Sequence, residues 1–298
     1  MDKNRIICGN GAENAELRAR ARELAKGAYD LHIHTIPSHA KRALDDLELI
    51  READALGMAG VLIKNHYEPT GSRAIIANRS GQYKTKAYGG VALNWPVGGL
   101  NPYAVESALN LGAVMVWAPT RDAWNSLLHG DMPGDFFKRP GIRILDENGE
   151  LLPVIHDIFD VILKYDGCLA TGHLSPEESV ILCKAARARN VRTVLTHPEF
   201  ERTRIPVDVQ KELAAIGVVI EKCWYNIAEQ NCTEAYMMET VREVGAARIY
   251  LSTDRGQEGR ERPAEAMLLL IEALLRNGFT DREIGNLIRE VPASVVKN

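Results

Sequence analysis

Tyr29-Asp30-Leu31-His32-Ile33-His34 is a short, mostly apolar run carrying two imidazoles two residues apart. Alternate side chains of a strand share a face, so His32 and His34 can reach one metal ion together. Working outward from residues 29–34, seven more runs read as strands: 60–64, 90–94, 113–117, 168–171, 192–196, 218–222 and 248–252. Stretches of helical periodicity lie between them, at 46–56, 103–111, 176–189, 206–216, 234–244 and 264–276, with one helix at 11–27 before the first strand. Gly57, Gly112, Gly217 and Gly245 follow four of these helices, as expected for helix ends in the left-handed conformation.

Eight strands, each followed by a crossover, predict a closed parallel (β/α)8 barrel of TIM type, one domain over residues 1–298, with an N-terminal helix. Strand order is not readable from sequence, so an open doubly wound sheet is the alternative. Residues 118–152 form an insertion after strand four, expected to be a lid or an oligomer contact, with a small hairpin at Asp146-Glu147-Asn148-Gly149. A further short helix is expected from Thr280-Asp281 within the tail.

The 298 residues are 46% apolar, enough for one large core. Their 36 basic and 40 acidic side chains are dispersed and leave a formal charge of −4, which predicts no nucleic-acid partner. No apolar run approaches the ~18 residues of a membrane span, and residues 1–5 lack the apolar character of a signal peptide. The expectation is a cytoplasmic protein. Cys8, Cys168, Cys183, Cys223 and Cys232 are odd in number and form no CxxC pair, against both a disulfide framework and a cysteine zinc cluster. Gly89-Gly90 and Gly98-Gly99 lack the dinucleotide-binding pattern.

The chemistry is expected at strand ends, where eight termini converge on one mouth. Gly172-His173 ends strand five, Thr196-His197-Pro198 strand six and Ser252-Thr253-Asp254 strand eight. Singly, such residues are ordinary packed histidines or turn-capping aspartates. Together with His32 and His34 they bring four imidazoles and a carboxylate to one place, a set suited to zinc, or to manganese or iron. Counting His66, five of the eight histidines fall at strand ends.

Lys64 shares parity with His66 and Leu62 and should face the barrel axis, where desolvation and neighbouring cations would lower its pKa. An ordinary cation for an anionic substrate is the equal alternative. For Glu221-Lys222, parity does not say which side chain faces inward. Glu221 could be a ligand, a partner for a histidine, or half of a structural ion pair with a neighbouring lysine, the last being the safest reading. With His66, Asn94 and Arg255 it is also a candidate substrate contact, and Arg255 or Arg121 could clamp a carboxylate or phosphate. His39, His129 and His156 receive no site role.

The ordered set of HxH, His, His and Asp on strands one, five, six and eight resembles the amidohydrolase superfamily over about residues 28–256. Residues 29–35 also resemble the first motif of the PHP phosphoesterases. That family has Thr-Asp-His after strand two, where this chain has Lys64-Asn65-His66, and often Asp-x-His where this chain has Asp254-Arg255-Gly256. Residues 64–66, 170–175, 195–199 and 251–257 look like an amidohydrolase-related branch. The resemblance implies a metal-dependent hydrolase with one or two divalent ions, the first on His32, His34 and Asp254, a second on His173 and His197. Asp254 would also accept the proton of the attacking water. Strand four, at 113–120, lacks the bridging lysine that two-metal members often carry there, and Lys64, carboxylated by CO₂, is the expected substitute. The implied reaction is attack of activated water on an amide, lactone, cyclic imide or ester-type bond of a small molecule. A PHP-like phosphoesterase, a metal-dependent lyase or isomerase, and a non-catalytic metal-binding barrel are the alternatives; self-association through 118–152 is left open.

Overall fold

A computed structural model describes residues 11–81, 83–135 and 138–296; the readings of residues 1–5 and of Cys8 lie outside the described residues. Eight parallel strands follow one another around the sheet in chain order: β1 (Tyr29–Ile33), β2 (Gly60–Ile63), β3 (Lys86–Ala92), β4 (Ala113–Trp117), β5 (Cys168–Ala170), β6 (Arg192–Leu195), β7 (Val219–Cys223) and β8 (Ile249–Ser252). Beyond β8 the chain returns to β1. Asp254 N–H donates to the His32 carbonyl at 2.9 Å, and His34 N–H to the Arg255 carbonyl at 2.8 Å. The cylinder therefore closes at its C-terminal mouth, and the open-sheet alternative falls away.

The strands are buried on both faces, as a parallel sheet under helices requires. Leu31, Leu62, Met115, Trp117, Ala170, Val194 and Tyr250 fill the interior, joined by Val291, Val295 and Val296 of the last helix (Val291–Val296). That helix follows the expected one, which begins at Asp281 with a capping box of Thr280 and Glu283 and continues through a π-helical turn, Asn286–Glu290. At the start of β6, Arg192 donates to the carbonyls of Ser294 and Val295, which anchors the tail at the amino-terminal end of the barrel. The N-terminal helix, Gly11–Ala25, packs along Pro263–Arg276, with Arg18 3.1 Å from Glu272.

Two differences from the sequence reading have local causes. β3 begins at Lys86 rather than at 90, because Gly89-Gly90 is no break here. A Cβ on Gly90 would lie 2.3 Å from the Trp117 ring and 2.6 Å from the Met115 carbonyl, so glycine permits close strand packing. Short helices at Gly71–Ser80, Trp124–Leu128, Pro153–Lys164 and Trp224–Ala228 add to those anticipated. Within 118–152 the small hairpin is present, with Leu145 bridging Leu151 and Asp146 N–H donating to the Glu150 carbonyl at 2.9 Å. Cys168, Cys183, Cys223 and Cys232 are all free thiols, and no described helix is long and apolar enough to cross a membrane.

Parity at the end of β7 is also resolved. Lys222 turns out under the helix Val207–Ala215, where its ammonium meets Glu199 and, at 2.9 Å, Gln210 Oε1. Glu221 therefore turns in, and the structural ion pair expected of it belongs to Lys222 and Glu199. Removing one partner of a buried pair strands the other, at a cost of about 3–5 kcal/mol. Lys222→Met and Glu199→Leu should each lower stability by that order in chemical denaturation, and the double variant should recover most of the loss. Simple additivity of the two losses would contradict the pairing.

Candidate metal centre

β1 delivers His32 and His34 to the same side, and the turn after β8 brings Asp254 against them, with its backbone in the left-handed region at φ +51°. Asp254 Oδ1 lies 3.3 Å from His32 Nε2 and 3.1 Å from His34 Nε2. The protons on these rings follow from their other contacts. His32 Nδ1 faces Glu221 Oε1 at 3.1 Å, and a carboxylate only accepts, so Nδ1 carries the hydrogen. His34 Nδ1 faces the Lys64 carbonyl at 3.0 Å and must donate likewise. On neutral rings, both Nε2 lone pairs then point at a carboxylate oxygen. A cation between them turns that repulsion into coordination, and the donor set (two imidazole nitrogens and a carboxylate within 4.8 Å of one another) fits a divalent metal.

The other imidazoles gather beside this trio. The His197 ring lies 5.6 Å from that of His32 and 5.2 Å from that of His173, while His66 stacks 4.9 Å from His34. The Thr203 hydroxyl donates to the His197 carbonyl at 3.1 Å, so its oxygen accepts from His197 Nδ1 at 3.3 Å and leaves Nε2 with a lone pair. His173 Nδ1 is buried with no hydrogen-bond partner among the described residues. Burial pushes His34, His66 and His173 well below the usual histidine range and His197 down to about 4, so these rings stay neutral, as metal ligands must be. Asp254 is held well below the usual carboxyl range: burial opposes its charge, but positive charge at His32, His34 or His197, whether a proton or a metal, outweighs it.

Lys64 reaches the same place. Its Nζ is 3.0 Å from His32 Nε2 and 5.1 Å from the centre of the Trp117 ring. Its pKa is lowered by burial, while the carboxylates of Asp254 and Glu221 act in the opposite direction. The expected depression is present, with desolvation rather than neighbouring cations as its main cause.

A cavity of about 460 Å³ opens above these groups, lined by His32, His34, His66, His173, His197 and Asp254. Met132, Pro133 and Gly134 of the insertion after β4 form part of its wall, beside Phe200 and Tyr225. Of the four substrate contacts expected from sequence, His66 alone borders the cavity. Asn94 is engaged below it, donating to the His66 carbonyl at 2.9 Å and to Thr120 Oγ1 at 2.6 Å, and Thr120 Oγ1 in turn meets His66 Nδ1 at 2.8 Å. Glu221 supports His32 and accepts from Ser252 Oγ at 3.2 Å. Arg255 is taken up by Glu229 at 2.9 Å and Glu261 at 2.7 Å, which replaces the expected anion clamp.

Sequence reasoning passed over Asp30, Arg42 and His39. Asp30 ties β1 to the turn after β8, accepting from Thr253 Oγ1 at 2.6 Å and Thr253 N–H at 3.0 Å. The rule applied to Glu221, that an acid inside a buried strand needs a partner, would have found it. Arg42 and His39 line the cavity from the loop after β1.

A family model, described as a family of unknown function (DUF6282), matches residues 27–221. The chain belongs to that family. No curated protein sequence matches this DUF6282 chain. Solved structures share its fold. An amidohydrolase from Pseudomonas aeruginosa aligns with a TM-score of 0.65 at 13% identity, covering 94% of this chain and 98% of that one. A probable dipeptidase from the same organism gives 0.63 at 11%, covering 95% and 98%. An organophosphorus hydrolase from Deinococcus radiodurans gives 0.58 at 13%, covering 93% and 94%. The barrel thus shares its fold with these hydrolases.

Because Glu221 fixes the His32 tautomer and raises its basicity, Glu221→Gln should weaken zinc binding by about 10–100-fold while leaving the protein folded. A competitive chelator titration reads this directly. Unchanged affinity would mean that His32 is not a ligand.

Proposed function

We propose that this DUF6282 chain is a metal-dependent hydrolase of small molecules, acting on an amide, lactone, cyclic imide or ester-type bond. The observation that carries the reading is the meeting of His32 Nε2, His34 Nε2 and Asp254 Oδ1, while each ring's Nδ1 faces an acceptor. The fold similarity to an amidohydrolase and a probable dipeptidase supports the reaction class.

His32, His34 and Asp254 would hold one ion, and His173 with His197 a second, with Lys64 as the candidate bridge. Zinc suits an imidazole-rich set best, with manganese and iron as alternatives. A divalent ion here supplies Lewis acidity, which makes water a competent nucleophile at neutral pH. The chain's own residues do the rest. Asp254 is 14% exposed, and its Oδ2 makes no hydrogen bond among the described residues. That oxygen takes the proton of the attacking water and returns it to the leaving group. His66, held through Thr120, orients the substrate oxygen. Phe200, Tyr225 and the 132–134 segment keep bulk water from the reacting bond.

Phosphoester hydrolysis is the second reading, favoured by the position of His66 over His34. A panel of amides, lactones, cyclic imides, esters and phosphoesters separates the two. Activity should vanish on metal removal and return with zinc or manganese. Asp254→Asn should lower kcat by at least about 10²-fold. Bound metal without turnover across the panel would leave a binding protein instead.

A further inference from the structure

Arginine keeps its charge at any ordinary pH, so a buried guanidinium needs acceptors. Elsewhere in this molecule that need is met: Arg255 by Glu229 and Glu261, Arg73 by Asp46 and Glu68, Arg139 by Asp122 and Asp135. Arg42 is different. It is 8% exposed and borders the cavity beside the candidate metal centre. Its Nε is buried without an acceptor, and its guanidinium makes no hydrogen bond or ion pair among the described residues. The backbone fixes it in place. Arg42 bridges Gln257, and Ala43 N–H donates to the Gly256 carbonyl at 2.8 Å. These contacts fix the backbone that carries the side chain at the cavity wall.

Arg121 borders the same cavity and is 5% exposed. One Nη1 donates to the Pro133 carbonyl at 2.9 Å and lies 3.6 Å from Asp135, but its Nε also lacks an acceptor. Burial, and to a lesser degree the charge of Arg121, bring Arg42 down to about 10, against the opposing pull of Asp254. The acids on the cavity wall do not balance them. Glu258 is exposed and lies 3.8 Å from Lys41, and Asp254 is occupied by the imidazoles. Two buried, under-satisfied guanidiniums that line one cavity offer it the donors an oxyanion needs.

We infer that the cavity binds a substrate bearing an oxyanion group, a carboxylate or a phosphate, which pairs with Arg42 and Arg121 while the bond to be cleaved lies at the metal centre. The anion subsite stands on the arginines alone; its assignment to a substrate rests on the hydrolase reading. Product would leave with its anionic group intact, since the subsite only holds that group.

The test uses the full chain stripped of metal, with succinate and inorganic phosphate as probes in calorimetry and thermal denaturation. At least one probe should bind the wild type and raise its Tm, and the one that does identifies carboxylate or phosphate as the group. Arg42→Met removes an unpaired buried charge while keeping its bulk, so it should fold with an equal or higher Tm. It should lose at least about tenfold in probe affinity and bind zinc as the wild type does. Arg42→Lys, which keeps the charge without the fork, should bind the probe more weakly than the wild type. Failure of both probes to bind, or equal binding by Arg42→Met, overturns the inference. Probe binding through Arg42 in a chain that takes up no metal would keep the subsite and remove the hydrolase reading. Metal binding with probes indifferent to Arg42 would do the reverse.

Discussion

Two backbone hydrogen bonds, Asp254 N–H to the His32 carbonyl and His34 N–H to the Arg255 carbonyl, join the last strand to the first. They close the barrel and also set the candidate metal centre, because three of the four residues they pair are the candidate ligands His32, His34 and Asp254. Closing the seam forces the chain into conformations that ordinary residues avoid. Asp254 sits at φ +51°, and Gly256 at φ +124° has a missing Cβ that would fall 1.7 Å from the His34 carbonyl oxygen. Thr253 bound to Asp30 holds the same junction from below. Fold and site are therefore one construction here, and a change that loosens the seam separates the carboxylate from both imidazoles.

Around the seam, a layer of polar contacts decides protonation. Glu221 and the Lys64 carbonyl each take a ring hydrogen at Nδ1, so a neutral ring presents its Nε2 lone pair to the centre. Thr203 does the same for His197. Lys64 Nζ meets His32 from the other side, its pKa lowered by burial against the pull of Asp254 and Glu221. Glu221, the Lys64 carbonyl and Thr203 each hold the ring beside them in the form that can bind a metal. The loops outside this layer differ in purpose. The segment after β1 contributes His39, Lys41 and Arg42, and the insertion after β4 contributes Arg121 and residues 132–134. A barrel of this fold hosts the named amidohydrolase, dipeptidase and organophosphorus hydrolase alike, so bond and substrate are matters for those loops.

Strand number, crossovers and the convergence of His32, His34, His173, His197 and Asp254 were legible in the sequence. Strand-end position and alternation are local properties that survive without knowledge of neighbours. What escaped depended on distant contacts. The early start of β3 rests on Trp117 packing over Gly90, a partner 27 residues away in a different strand. The inward turn of Glu221 rests on Glu199 and Gln210 claiming Lys222 from outside. Arg255 looked free beside Asp254, but Glu229 and Glu261 approach it from loops with no periodic signal. Arg42 had nothing to mark it, since an absence of partners is a property of the folded state alone.

Anomalous diffraction from crystals soaked with zinc tests the central claim most directly. The account predicts a peak bonded to His32 Nε2, His34 Nε2 and an Asp254 oxygen, at the roughly 2.0–2.2 Å typical of zinc. A zinc-soaked crystal whose anomalous peaks all lie away from these three atoms would contradict it.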